Sequence, residues 1–210
     1  MIGIIKRDIL LILSSKQTIL LMLFYIPFLM ILAESFHPES FYFVIIVLYT
    51  FLMSMSSFTY DISGKSKYIM NSLPINRKEL VVYKYLSIFV YLGMTIVFAG
   101  VYLWIIHILG LANVDYFSLR VIKNTIPIVM MYSAVVFPVY IRFEPRIGQI
   151  LSLFVFILFF TTIGNLSYTR DKAILKFLSL MKWEYYMAIA LLLYLLSLLL
   201  SISLYKEKDI

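Results

Sequence analysis

The chain has 210 residues, 63% hydrophobic and 14% charged, with no cysteine and a formal charge of +7. Soluble domains average about 45–50% apolar and 25% charged residues, so this composition excludes an ordinary soluble enzyme, and the lack of cysteine excludes disulfides and thiolate metal sites. Six runs without a charged residue, each near the ~20 residues a spanning helix needs, predict an all-α membrane protein: one transmembrane domain, 1–210, with six transmembrane helices.

Residues 1–16 are expected to form an interfacial helix on the inner membrane face. Ile2, Ile5, Ile9 and Ile12 recur at helical spacing beside Lys6, Arg7 and Lys16. No cleavable signal is expected, because the apolar run Ile9 to Leu13 is short and no small-x-small site follows it. The first span, 17–33, is short, so its flanks must snorkel or the lipid must thin around it. Pro27 is expected to kink it. Glu34 to Glu39, with Pro38, reads as a tight outer turn before the second span, 40–60.

Asp61 to Lys84 is the longest inner loop. Ile62, Ile69 and Leu73 suit an apolar stripe on a short helix that Pro74 ends. Asn76 then stands as an N-cap with Glu79 three residues later, the spacing of a capping box. The helix begun there runs on into the third span, 85–106, which makes the loop a stiff elbow able to transmit force from below the membrane. The fourth span, 124–141, carries Pro127 and Pro138, and Arg142, Glu144, Pro145 and Arg146 make a short inner turn. The fifth span is 147–165. Its outer loop holds an amphipathic element from Lys172 to Lys182, and the sixth span is 185–205.

Charge sets the expected topology. With the N-terminus inside, the inner segments hold 12 of the 18 Lys and Arg residues, and cations collect on the cytoplasmic side. Both termini are then inside. Trp104 and Trp183 fall at the outer headgroup level, where amphipathic rings settle. No basic patch is large enough to form a nucleic-acid groove.

Few residues carry chemistry. Gly64-Lys65-Ser66 lacks the phosphate loop's earlier glycine, because Thr59 stands there. His37 and His107 belong to no HExxH pattern, and Asn165-Leu166-Ser167 is a sequon of the kind that arises by chance. The span interiors hold no ionisable residue of the kind that binds a coupling ion. Such a path suits an apolar or amphipathic cargo, with energy supplied by another subunit.

Tyr60-Asp61, the stretch Ser72-Leu73-Pro74-Ile75-Asn76-Arg77-Lys78-Glu79-Leu80-Val81, and Lys84-Tyr85 resemble the D…SLPIsRkeiV…KY signature of the ABC-2 type exporter permeases. Pro138, Arg142-Phe143 and Arg146 resemble that family's P…FG…R turn, with Glu144 where the pattern has Gly. Small size and the lack of an outer domain look most like the membrane subunits of the phenol-soluble modulin exporter.

The resemblance implies a membrane unit of two permease subunits, identical or homologous, above two copies of an ABC ATP-binding subunit. Those partners would bind ATP and magnesium, so this chain would need no cofactor and catalyse nothing. A coupling helix near Ile62 to Ser72 would engage the ATPase. The residues implied in coupling are Asp61, Ile62, Lys65, Lys67, Tyr68, Ile69, Ser72, Leu73, Pro74, Arg77 and Lys78. Lys6, Arg7, Arg142 and Arg146 would make a second inner contact, with the N-terminus as a connecting helix. The Lys172–Lys182 element would help close the exit. The expected cargo is an amphipathic peptide, such as a phenol-soluble modulin or an antimicrobial peptide, and the expected location is the bacterial cytoplasmic membrane. A stand-alone membrane immunity protein against membrane-active peptides fits the same spans.

Overall fold

The computed structural model describes residues 2–32, 38–62, 76–111, 116–143, 145–168 and 183–206. Among these every regular element is an α-helix: α1 (Ile2–Ser14), α2 (Lys16–Leu32), α3 (Pro38–Ile62), α4 (Arg77–Ile108), α5 (Leu119–Arg142), α6 (Pro145–Tyr168) and α7 (Trp183–Lys206). Long apolar segments take this form because a helix satisfies its own backbone groups where no water can. The expected coupling segment between Ile62 and Asn76 lies outside the described residues, apart from the ends of α3 and α4. So do Glu144 and the Lys172–Lys182 element.

By length and composition, α3, α4, α5 and α7 suffice to cross a membrane, and α1 with α2 count as a fifth span if taken through their bend. The expected first span corresponds to α2, which is 17 residues long. The expected fifth corresponds to α6, which is 24 residues long.

Local chemistry explains the helix ends. Ser15 separates α1 from α2, and its Oγ accepts the Thr18 backbone N–H at 3.3 Å, as an N-cap does. The two helix axes meet there at 76°. The sharp bend therefore falls at Ser15, while α2 continues through Pro27. Pro38 and Pro145 each occupy the first turn of a helix, where a missing N–H costs nothing. Pro38 thus opens α3 instead of belonging to the preceding turn. Gly110 ends α4 with φ +67°. Leu111 N donates to Ile106 O at 3.2 Å and Gly110 N to His107 O at 3.1 Å, the paired bonds of a Schellman motif.

The described residues fall into two compact units. The first draws on 1–74 and 82–125, the second on 75–81 and 126–210. In the first, α1 packs on α2 and α3. The buried face of α1 carries Asp8 and Ile12, while Leu10 and Leu13 are exposed. Ile12, one of the isoleucines at helical spacing on the expected interfacial helix, is buried on the face that packs against the neighbouring helices.

α3 is enclosed over 72% of its spanning window. Apolar burial drives little association in lipid, so packing and interhelical hydrogen bonds hold such a helix in place. Tyr49 OH donates to Met22 O on α2, and Tyr42 OH donates to Ile96 O on α4 at 3.3 Å. Thr50 Oγ1 and Thr95 Oγ1 share a hydrogen bond of 2.9 Å. Several α3 hydroxyls also turn back onto their own helix: Thr50 to Ile46 O, Ser54 to Phe51 O, Ser56 to Leu52 O and Thr59 to Met55 O. Near the far end of α4 the Phe117 ring lies against Gly100, where a Cβ would stand 2.4 Å from Phe117 Cε1.

In the second unit, Tyr140 OH on α5 bonds Ser152 Oγ on α6 at 2.8 Å. α7 buries one stripe, Ala190, Tyr194, Ser197 and Ser201, and leaves a broad face of leucines exposed. Small and hydroxylic residues inward with leucine outward is the arrangement lipid favours. Ser197 Oγ donates to Ala134 O on α5.

Candidate functional site

Three charged side chains, Arg7, Asp8 and Lys84, converge where α1 meets α3 and α4. Lys84 Nζ donates to Asp8 Oδ2 at 2.7 Å and lies 2.6 Å from Ser57 Oγ. Ser57 Oγ donates to the same carboxylate oxygen at 2.7 Å, and Tyr91 OH reaches it at 3.3 Å. Arg7 covers the other oxygen, with Nη2 at 2.7 Å and Nε at 3.1 Å. Side-chain exposure is 2% for Asp8 and 4% for Lys84, so both charges are removed from solvent. The Lys84 ammonium also stands 5.4 Å from the Phe58 ring centre, a cation–π distance.

Local structure explains the convergence. Asp8 and Ile12 are four residues apart, so they share one face of α1. Lys84 and Tyr91 are seven apart, two turns on one face of α4. Ser57 sits on the buried side of α3.

Burial alone would raise the Asp8 carboxyl pKa. The Lys84 charge and the hydrogen bonds from Lys84, Arg7 and Ser57 outweigh it and hold the group below the ordinary aspartate value. This carboxylate stands on α1, the helix expected from the sequence to be interfacial. Its oxygens are taken by protein donors. The cluster therefore ties helices together and offers no vacant ligand for an ion.

Asp61 and Ile62 are the last residues of α3, and Arg77 and Lys78 are the first of α4. Lys78 is exposed. Asn76 precedes α4: its carbonyl accepts Leu80 N–H at 3.2 Å, and its Nδ2 contacts Glu79 Oε1 at 3.4 Å. Lys65, Lys67, Tyr68, Ile69, Ser72, Leu73 and Pro74 lie outside the described residues. Of the second contact set, Lys6, Arg142 and Arg146 are exposed, whereas Arg7 is half-buried against Asp8. The sequon at Asn165 falls on α6.

Sequence reasoning missed Asp8, Ser57 and Tyr91. One signal pointed to Asp8: an acidic residue in line with Ile5 and Ile12 on a basic, amphipathic helix.

Among the described residues no group of three His, Asp or Glu side chains could hold a metal ion. Along α4, Gly93, Met94, Val97, Phe98, Val101, Tyr102 and Ile105 line an open apolar groove of about 660 Å³.

No curated protein and no solved structure matches the chain. A family model described as ABC-2 family transporter protein matches residues 3–206, a range that reaches from α1 to the end of α7. The chain therefore belongs to the ABC-2 family, as a transmembrane subunit of an ABC transporter.

Proposed function

We propose that the chain is the permease of an exporter for amphipathic peptides, of the phenol-soluble modulin or antimicrobial kind, in a bacterial cytoplasmic membrane. Family membership implies an ABC ATP-binding partner. In the proposed assembly two copies of that partner bind ATP and magnesium and hydrolyse the nucleotide. A second permease subunit, identical or homologous, completes the path. The chain crosses six times with both termini inside, and α2 and α6 serve as spans one and five.

The observation that carries this reading is the length of α4. Its 32 residues extend about 48 Å at 1.5 Å per residue, against a hydrocarbon core of about 30 Å. One helix thus serves as both the third span and the arm entering it. Its Asn76 end follows directly on Asp61 to Pro74, the proposed seat of the ATPase. Tyr68 and Ile69 would fill the groove of that partner, and Lys65, Lys67, Arg77 and Lys78 would meet its acidic rim. An unbroken helix transmits a push along its axis.

The cargo class rests on the span interiors. Their buried polar groups are mostly hydroxyls already bonded to backbone carbonyls, a lining that suits apolar side chains better than ions.

The test is reconstitution with the ATP-binding partner in liposomes, using a fluorescent Leu/Lys amphipathic helix as the transported probe. ATP-dependent accumulation is expected. Tyr68→Asp and Ile69→Asp should keep hydrolysis and lose accumulation. Transport that survives both changes refutes the coupling assignment. Protection of vesicles by this chain alone, without ATP, would instead support a stand-alone immunity protein.

A further inference from the structure

The buried cluster adds a component that the coupling reading leaves out. Asp8 bridges three helices. Lys84 and Tyr91 reach it from α4, Ser57 from α3, and Asp8 itself stands on α1. α1 also packs on α3 over its Ile12 face. Lys84 lies seven residues into α4, two turns above Arg77, where the coupling segment joins that helix.

Separating the two charges would take the buried Lys84 ammonium from its carboxylate and leave the Asp8 carboxylate to Arg7. Such a step is far costlier than moving the helices together. Breaking it would also strand Ser57 and Tyr91 hydroxyls, because one carboxylate oxygen serves all three donors. A release latch would be built differently, with a single contact accessible to water.

We propose that Asp8 and Lys84 are positioning residues for coupling: their pair fixes α1 to the lower parts of α3 and α4, so that the N-terminal helix travels with α4 as one rigid lever through the transport cycle. This rests on the reading that force enters α4 from the Asp61–Pro74 segment. α1 then acts as a second arm. It carries Lys6 and the exposed Leu10 and Leu13 into whatever lies beneath and beside it, and it sweeps the lipid interface as α4 tilts.

The absence of cysteine from the chain makes the test direct. Lys6→Cys on α1 and Leu86→Cys on α4, both exposed positions, take spin labels. Labelled chains are diluted with unlabelled chain and assembled with the ATP-binding partner. The α1–α4 distance is then measured by pulsed electron resonance, without nucleotide and after trapping with ATP and vanadate. A rigid lever gives a narrow distribution in both states, shifted by less than about 2 Å, the scale of repacking within a helix interface.

Asp8→Asn and, separately, Lys84→Gln should each broaden the distribution. The exchange Asp8→Lys with Lys84→Asp should narrow it again, which general loss of folding would not do. A shift beyond about 5 Å on trapping, one helical turn, overturns the proposal, because the pair then opens during the cycle. A distribution that stays narrow in Asp8→Asn also overturns it, because something else holds α1. Failure of the coupling reading shows elsewhere, in peptide transport that survives Tyr68→Asp.

Discussion

Removing either member of the Asp8–Lys84 pair should destabilise the first unit far more than removing both. At 2.7 Å and an effective dielectric of about 20, the Coulomb attraction is about 6 kcal/mol. Desolvation of two nearly inaccessible ions offsets most of it, so the net value of the intact pair is small. A single change gives no such cancellation. Asp8→Asn leaves the Lys84 ammonium buried without its anionic partner, beside the Ser57 hydroxyl and the Phe58 ring. The expected cost is about 3–5 kcal/mol. Lys84→Met strands the carboxylate, although Arg7 still covers one oxygen, so its cost should fall at the low end of that range. With Asp8→Asn and Lys84→Met together both fully buried charges are gone, the half-buried Arg7 can turn to water, and the cost should drop to about 1–2 kcal/mol. Titrating each purified chain from mild detergent into SDS, followed by the fluorescence of Trp104 and Trp183, gives the four unfolding free energies. Additive single and double changes would refute the reasoning, as would single changes that each cost under about 1 kcal/mol.

The same titration tests the acid sensitivity of the pair. The folded Asp8 pKa lies below its ordinary value of 3.8, so the carboxylate's stabilisation is complete above that value and is lost as pH falls through the folded pKa. The gap between the parent chain and Asp8→Asn should persist at neutral pH and close in strong acid. A gap that widens on acidification contradicts the sign. Gly100→Ala should push the Phe117 ring away from α4, because the new Cβ would stand within 3 Å of three ring carbons. The half-exposed ring can swing aside, so about 1–2 kcal/mol is expected, and Phe117→Ala in the same chain should relieve it. On α7, Ser197→Leu should disrupt packing by placing bulk where Ser197 meets the Ala134 carbonyl. Leu199→Ala on the exposed face should change stability little, since lipid replaces the lost contacts. Comparable losses at the two positions would show that the face is misassigned.

The helical architecture was legible because hydrocarbon imposes a single solution on long charge-free segments. The start of α4 was legible for a local reason: Asn76 and Glu79 lie three apart, and capping involves only neighbours. Pro145 opens α6, whereas the cations beside it made it read as part of the inner turn. Gly110 could have been read as a helix terminator after the apolar run ending at Ile108, but it was not. The polar cluster was not legible at all. Asp8 finds Ser57 and Lys84 across 49 and 76 residues, and no periodicity encodes such a meeting. Lys84 looked like one more inner cation, because the orientation rule accounts for any lysine near a span end. The bend at Ser15 was missed because Pro27 drew the expectation of a kink, whereas a hydroxyl that can cap a new helix was the stronger signal. The inward stripe of α7 is hidden in a segment apolar on all sides, where only the spacing of Ala190, Tyr194, Ser197 and Ser201 marks a face.

The self-bonded hydroxyls of α3 bear on how the polypeptide is made. During synthesis this segment enters the bilayer before α4 exists to surround it. Thr50, Ser54, Ser56 and Thr59 already have acceptors one turn back, so none is stranded in oil while the segment waits. Ser57 looks instead to Asp8, which left the ribosome earlier and stands ready. The helix destined for the middle of the unit can therefore insert unaided, and Lys84 arrives last to close the junction.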